Sequence, residues 1–346
     1  MIIVGIAAEY NPFHSGHAEH LARTREAVGA DSLIVVVMSG NFVQRGDIAV
    51  YSKRARANAA VHSGADIVLE LPAAVSLSSA KYFAKGAVNL LNALGRVDYL
   101  SFGSESGDLT ELAEIAALLD APAVDELIRS ELTLGVSYAA ARQSALECVS
   151  GKTLDWLRLP NNILAVEYLA ALKDTTIKPL TIKRGDSEDT ASALRQKLKA
   201  GAKISAYTPK SAKHIYAAEE RRGAGPVFTD SIEQAVLTKL KAMTTDDFSA
   251  LPDASEGLGN RFYNAVQTSQ TLDELLNAVK TKRYAMSRLR RMAFCAFLGI
   301  RASDRLIIPE KAVVLASSKR GREFNSALPL VTGSSDTLYE WLTDKV

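Results

Sequence analysis

Three features are scarce in this sequence, and each scarcity excludes a class of protein. Only two cysteines occur among 346 residues, Cys148 and Cys295, which argues against a disulfide framework or a cysteine zinc site and indicates a reducing cytoplasm. No apolar run approaches the ~18 residues that a membrane helix needs. The N-terminus has neither a basic segment nor a small-residue cleavage site, so we expect no signal peptide and no membrane partner.

The overall composition is that of an ordinary globular protein. Hydrophobic residues make up 47% and charged residues 23%, which excludes disorder as the main state. The length favours two or three domains, whereas the net charge of +2 says little about partners. Histidine has the most informative distribution, because three of the five histidines (His14, His17 and His20) fall within seven residues.

Short apolar strands alternate with helical segments through the first half of the chain. Candidate strands cover residues 2–8, 33–38, 67–71, 99–102 and 177–182, with helices after residue 16, over 53–62 and over 79–94. This alternation predicts an α/β fold with a Rossmann-like parallel sheet. The polar loops 10–17, 39–47 and 103–108 each follow a strand, so we expect them to share the rim where such sheets bind ligands.

The first of these loops contains H-x-G-H at the start of a helix, formed by His14, Gly16 and His17. A helix N-terminus attracts phosphate, glycine allows close backbone approach, and imidazoles can stabilise an α-phosphate under attack. Zinc binding by the three histidines is an alternative, although H-E-x-x-H is absent. A structural, hydrogen-bonded histidine is another alternative, which we favour for His20.

The motifs resemble those of a known family. H-x-G-H is similar to the HIGH superfamily of nucleotidyltransferases, and the longer strings resemble the bacterial tRNA(Met) cytidine acetate ligases. These strings are AEYNPFHSGH (8–17), SGNFVQRG (39–46), LELP (69–72), FGSE (102–105), PNNILAVEY (160–168) and TKRY (281–284). The resemblance implies an enzyme that activates acetate with ATP as acetyl-adenylate and then acetylates N4 of the wobble cytidine of elongator tRNA(Met).

The same resemblance implies the site residues. ATP would be contacted by Ala7, Ala8, Glu9, Tyr10, Asn11, Pro12, Phe13, His14, Ser15, Gly16, His17, His20, Gly103, Asn161, Arg184, Gly185 and Ser192. The superfamily's second motif matches residues 190–195, with Thr-Ala in place of the more usual Ser-Ala. Ser192 would cap a helix, and Arg195 would join His14 and His17 as a catalytic residue. Alternatively, Ser192 is only a cap and Arg195 a solvated charge.

The segment 280–301 carries seven basic residues and no acidic one. Such a segment is either a solvated face or a footprint for a phosphate backbone. On a helix, Arg288 and Arg291 would share one face. The resemblance favours tRNA binding, for which the candidates are Lys282, Arg283, Arg288, Arg290 and Arg291.

These observations predict two regions. Residues 1–205 would form the nucleotidyltransferase-like ATP-binding domain, and residues 206–346 a mainly helical, basic region that binds tRNA. Residues 312–316 favour a strand, and a terminal helix is expected beyond them. Magnesium is expected with the triphosphate, but no carboxylate cluster identifies a ligand. Two other functions stay open: a small-molecule adenylyltransferase that joins AMP to a phosphate substrate, and an RNA-binding protein without chemistry.

Overall fold

The computed structural model describes residues 1–185 and 190–332. Its strands are β1 (Ile3–Ala8), β2 (Leu33–Ser39), β3 (Phe42–Val43), β4 (Asp47–Ile48), β5 (Ile67–Leu71), β6 (Tyr99–Ser104), β7 (Lys178–Lys183), β8 (Ala312–Ser317) and β9 (Leu330–Thr332). Its helices are α1 (Ser15–Val28), α2 (Lys53–His62), α3 (Ala73–Ser76), α4 (Ala80–Ala93), α5 (Leu109–Leu118), α6 (Pro122–Thr133), α7 (Tyr138–Ser150), α8 (Pro160–Leu172), α9 (Ala191–Lys199), α10 (Lys210–Arg221), α11 (Glu233–Lys241), α12 (Thr245–Ser249), α13 (Leu258–Thr268), α14 (Leu272–Val279) and α15 (Met286–Leu298).

The main sheet has seven strands in the order β7-β6-β1-β2-β5-β8-β9. The five strands from β7 to β5 are parallel, with Ile3 opposite Leu33 and Val4 opposite Tyr99. Strand β2 is buried along its whole length, because helices cover both faces of the sheet. The predicted α/β fold with a mostly parallel sheet is therefore confirmed.

Alternate side chains of the strands enter different cores. Val35 and Val37 of β2 join a core with helices α4, α5 and α8, whereas Ile34 and Val36 join the opposite core with α2, α9 and α10. Gly5 in β1 allows a close approach on the first face, since a Cβ there would lie 2.7 Å from Leu91 Cδ1. Both layers position β1, and hence the loop that follows it.

A third core holds helices α11 to α15 together. Phe248, Phe262 and Phe294 lie in it, and Phe42 and Ile48 of the β3–β4 hairpin insert from the first half of the chain. The hairpin begins within loop 39–47, which the sequence predicted only as a loop, and ends at Ile48. The mainly helical character of this part of the chain is confirmed.

Several contacts cross the predicted division at residue 205, which itself stays a prediction. Helix α10 packs on α2, and β8 pairs antiparallel with β5, so the chain returns to the first sheet. The strand predicted at 312–316 is confirmed as β8. The predicted terminal helix falls largely on residues 333–346, outside the described residues. In the described ranges, we find no helix whose length and hydropathy would let it cross a bilayer.

Candidate active site

The carboxyl ends of β1, β2 and β6 lie at one edge of the sheet and bring three polar loops together. The backbone N–H of Gln44, from the second loop, donates to Glu9 Oε1 at 2.6 Å. The Val50 N–H donates to Asn11 Oδ1 at 2.9 Å, which ties the first loop to the chain after the hairpin. These contacts confirm that loops from separate strands share a rim, as the topology predicted.

His14 and His17 form the N-terminal cap of α1. His14 Nδ1 accepts the Gly16 N–H at 3.1 Å, and His17 Nδ1 accepts the His14 N–H at 3.3 Å. A neutral imidazole that accepts through Nδ1 carries its proton on Nε2. Both rings, with centroids 3.9 Å apart, therefore offer Nε2–H donors at the positive end of the helix.

Burial, followed by the electrostatic interaction with neighbouring His14, holds the pKa of His17 well below its ordinary value. The imidazole is accordingly neutral at pH 7, which agrees with its role in the cap. Tyr10 packs on it with ring centroids 4.8 Å apart. Tyr10 adopts φ +49°, a left-handed conformation that costs a non-glycine residue about 1–2 kcal/mol, so the surrounding packing holds this turn in place.

The rest of the first loop is held by residues from later in the chain. The Phe13 N–H donates to Tyr216 Oη at 2.9 Å, and the Ser15 N–H donates to the Tyr207 carbonyl at 2.9 Å. The Asn11–Pro12 peptide bond is cis. Residues beyond 205 thus support the H-x-G-H loop directly.

His20 lies one turn further along α1. Its Nε2 is 3.0 Å from Ser101 Oγ, which in turn lies 2.7 Å from Thr24 Oγ1. Burial and the charge of Arg184 lower the pKa of His20 to about 4. This is the structural arrangement favoured from the sequence, and within the described residues no group of three or more His, Cys, Asp or Glu side chains could hold zinc.

Arg195 reaches the H-x-G-H loop from α9. Its Nη1 donates to the Asn11 carbonyl at 2.7 Å, so the second motif lies beside the first. The predicted cap is wrong, however. Thr190 Oγ1 accepts the Ala193 N–H at 3.2 Å, and Ser192 lies exposed in the first helical turn. The helix begins at Ala191, two residues earlier than a cap at Ser192 would require, so the cap is Thr190.

The third rim loop is fixed by the start of α8. Asn161 Nδ2 donates to Glu105 Oε1 at 2.6 Å, and the Asn162 N–H donates to Glu105 Oε2 at 2.9 Å. Arg184, at the end of β7, lies against this loop: a Cβ on Gly103 would lie 3.3 Å from its Cγ. The structure thus brings Gly103, Asn161 and Arg184 to the same edge as the histidines, and Gly185 follows exposed.

Comparison with known proteins agrees with this geometry. A family model described as HIGH Nucleotidyl Transferase matches residues 1–332. A tRNA(Met) cytidine acetate ligase of Acetivibrio thermocellus is 35% identical, over 97% of this chain and 89% of that protein. That of Syntrophomonas wolfei is 38% identical, over 93% and 83% respectively. The crystal structure of apo Thermotoga maritima TmcAL matches with TM-score 0.88 and 32% identity, covering 100% of this chain and 89% of that one. This chain belongs to the tRNA(Met) cytidine acetate ligase family.

A second structure of the Thermotoga maritima TmcAL contains alpha-thio ATP and matches this chain with TM-score 0.87, 32% identity and coverage of 100% and 88%. A nucleotide analogue therefore binds a family member of this fold. The contacts expected here between ATP and individual side chains stay predictions.

The basic segment 280–301 of this chain is divided between a loop and helix α15. Lys282 and Arg283 precede α15, and both are exposed, as is Arg290 within it. Arg283 Nη2 donates to the Leu132 carbonyl at 3.3 Å. Arg288 Nη2 donates to the Asp253 carbonyl at 2.7 Å and is partly shielded.

Arg291 requires a correction. The sequence placed it on a solvent-facing side of the helix with Arg288, but only 6% of the residue is exposed. Its Nη2 lies 3.6 Å from Asp253 Oδ2, and its Nη1 donates to the Gln44 carbonyl at 3.4 Å. Arg291 therefore joins α15 to the second rim loop and presents no phosphate-binding surface.

One arginine in the centre of the site escaped the sequence analysis. Arg56, on α2, is fully buried, and its Nη1 donates to the Ser39 carbonyl at 3.1 Å while its Nη2 donates to the Gly40 carbonyl. It holds the end of β2 in place. The only signal is its position among small residues, since Ala55 and Ala57 are buried beside it. That signal does not distinguish a buried arginine from a solvated one.

Proposed function

We propose that this protein activates acetate with ATP as acetyl-adenylate and transfers the acetyl group to N4 of the wobble cytidine of elongator tRNA(Met). The observation that carries the proposal is the paired cap of His14 and His17, with Arg195 bound to the same loop. Membership of the tRNA(Met) cytidine acetate ligase family supplies the substrates.

In the first step, an acetate oxygen attacks the α-phosphorus in line and pyrophosphate leaves. The Nε2–H groups of His14 and His17 stabilise the charge on the α-phosphate, and Gly16 lets the helix N-terminus approach it. Arg195 holds the leaving pyrophosphate. No covalent enzyme intermediate is required, because both reactants are held in one geometry.

The ATP contacts proposed are those of the rim: Ala7, Ala8, Glu9, Tyr10, Asn11, Pro12, Phe13, Ser15, His20, Gly103, Asn161, Arg184, Gly185 and Ser192. Asn161 is bound to Glu105, so it acts by shaping the third loop as well. Magnesium would accompany the triphosphate, since Mg²⁺ binds substrate phosphates and keeps several waters. Among the described residues, no group of three or more His, Cys, Asp or Glu side chains could hold it.

In the second step, the cytidine amine attacks the acetyl carbonyl of the mixed anhydride. An anticodon base must turn outward to reach the rim, as single-stranded RNA loops allow. The proposed tRNA surface comprises Lys282, Arg283, Arg288 and Arg290, and Arg291 supports it from within. A cytoplasmic location belongs to the same proposal, because Cys148 and Cys295 are unpaired thiols.

Acetate-dependent exchange of radiolabelled pyrophosphate into ATP tests the first step without tRNA. The proposal predicts exchange that requires acetate and this protein together. Exchange that requires a phosphorylated small molecule instead, with a dinucleotide product, would favour the small-molecule adenylyltransferase.

A further inference from the structure

The transfer step requires a group that accepts the proton of the attacking amine. Cytosine's exocyclic amine is weakly nucleophilic and must lose a proton as the amide forms. The histidines of the H-x-G-H loop are unsuited to this task. The Nδ1 atoms of His14 and His17 are occupied by backbone N–H groups, so their Nε2 atoms already carry protons. His20 is a weak base, since its pKa is lowered to about 4.

The rim carboxylates remain as candidates, and two of them have both oxygens engaged. Both oxygens of Glu70 are bound by Lys53 Nζ, at 3.0 and 3.1 Å. Both oxygens of Glu105 are bound by Asn161 and Asn162. A carboxylate engaged twice in this way has its lone pairs committed and is a poor proton acceptor.

Glu9 differs from these two carboxylates. Its Oε1 accepts the Gln44 N–H at 2.6 Å, which fixes the side chain, whereas its Oε2 makes no hydrogen bond or ion pair within the described residues. It directly follows β1 and precedes Tyr10, whose ring packs on His17. The carboxyl group is therefore held through one oxygen at the rim, close enough to Arg195 for the two charges to interact.

The surroundings of Glu9 set its proton affinity. Burial raises the pKa of Glu9 above its ordinary value, although the Gln44 N–H and the charges of Arg195, Arg45 and Arg56 lower it in part. Tyr168 also interacts electrostatically with it. A raised pKa strengthens a carboxylate as a base near neutral pH.

We propose that Glu9 is the general base of acetyl transfer, a role that rests on the proposed function. The amine lone pair forms the N–C bond to the acetyl carbonyl, and the bond from that carbon to the AMP phosphate oxygen breaks. AMP leaves as the anion, and the amine proton passes to Glu9 Oε2. The products are N4-acetylcytidine and AMP, and no other reactant is needed.

Glu9→Gln tests this role because the amide oxygen still accepts the Gln44 N–H. Full-length protein is loaded with ATP and radiolabelled acetate, mixed with unmodified tRNA and quenched over time. We expect transfer to fall at least about 100-fold, the usual contribution of a general base, and acetate-dependent exchange to fall less than about tenfold. The wild-type transfer rate should rise with pH as Glu9 ionises, and the Glu9→Gln rate should not.

Asp47→Asn is the matched control. Asp47 also lies near Arg195 and is also bound through one oxygen, because its Oδ1 accepts the Ile48 N–H at 2.9 Å and is bound by Thr229. It differs from Glu9 in position, since it belongs to β4 of the hairpin and does not follow β1. Transfer should stay within a few-fold of wild type in Asp47→Asn. The proposal is overturned if Glu9→Gln transfers acetyl at the wild-type rate, if it loses exchange and transfer equally, or if Asp47→Asn shows the same defect. Wild-type protein that lacks acetate-dependent exchange would instead overturn the proposed function.

Discussion

The His14 N–H donates to His17 Nδ1, and this bond fixes the proton of the His17 ring on Nε2. His17→Asn keeps an oxygen near the position of Nδ1 but removes the Nε2–H donor. We expect acetate-dependent exchange to fall about 100- to 1,000-fold, as when one oxyanion donor is lost, with the unfolding midpoint nearly unchanged. Wild-type exchange in a folded His17→Asn protein would exclude His17 from the adenylation step.

Arg195 connects α9 to the first rim loop through the Asn11 carbonyl. Arg195→Lys keeps the charge and loses the planar fork that suits phosphate, so kcat/KM for ATP should fall about 10- to 100-fold. Gln196→Ala, an exposed position on the same helix, is the control and should leave exchange unchanged. Equal kinetics in both variants would mean that Arg195 has no role at the phosphates.

Neighbouring arginines on α15 should behave differently. Arg290 is exposed, so Arg290→Glu should weaken tRNA binding in a salt-dependent manner and spare both exchange and stability. Arg291 is buried beside Asp253, so Arg291→Leu should lower the free energy of unfolding by about 3 kcal/mol. Filter binding at several salt concentrations and urea unfolding measure the two effects. A stable Arg291→Leu protein with weakened, salt-dependent tRNA binding would contradict this account and would show that Arg291 contacts tRNA.

Acid sensitivity should arise in part from His20. Burial first, and then the charges of Arg184 and Arg23, lower its pKa to about 4 in the folded protein. The unfolded chain, with a pKa of about 6.5, binds the proton more tightly, so stability falls as the pH decreases through 6.5 towards 4. The loss reaches about 3 kcal/mol at most. Urea unfolding of wild type and His20→Gln at pH 7.5 and 5 should show a smaller pH effect in the variant, and equal pH effects would contradict this account.

The second rim loop fits tightly against α15 at Gly46. Gly46 has φ +72°, and a Cβ there would lie 2.5 Å from the backbone nitrogen of Arg291. Gly29→Ala is a suitable control, because Gly29 also has a positive φ but nothing within 4 Å. Gly29→Ala should cost about 1 kcal/mol, and Gly46→Ala about 2 kcal/mol more because neither backbone can yield. Equal unfolding free energies for the two variants would show that the contact is loose.

The parts of the fold predicted from the sequence are those set by local pattern. The continuous apolar run of β2 reflects burial on both faces, and α2 begins where Ser52 Oγ accepts the Ala55 N–H. Neither the pairing of β8 with β5 nor the β3–β4 hairpin could be predicted. The hairpin strands are two residues long, and the choice of a distant partner strand leaves no periodic signal.

In the candidate site, too, some features could be predicted from the sequence and others are visible only in the fold. The first and third rim loops lie at one edge as expected, because the ends of parallel strands meet there. Arg195 of α9 binds the first loop at the Asn11 carbonyl, and Asn161 binds the third at Glu105. The burial of Arg291 depends on Asp253, far away in the chain, and a run of basic residues looks the same whether one member is buried or not. Glu9 could be named as an ATP contact from the resemblance, but only the folded site shows that, among residues 1–185 and 190–332, its Oε2 has no hydrogen-bond partner.

The most direct test of the central claim is mass spectrometry of nucleosides from unmodified bulk tRNA incubated with the protein, ATP and acetate. The account predicts N4-acetylcytidine only when ATP and acetate are both present, and only in elongator tRNA(Met) after the tRNAs are separated. Absence of N4-acetylcytidine under these conditions, with tRNA shown to bind, would contradict it.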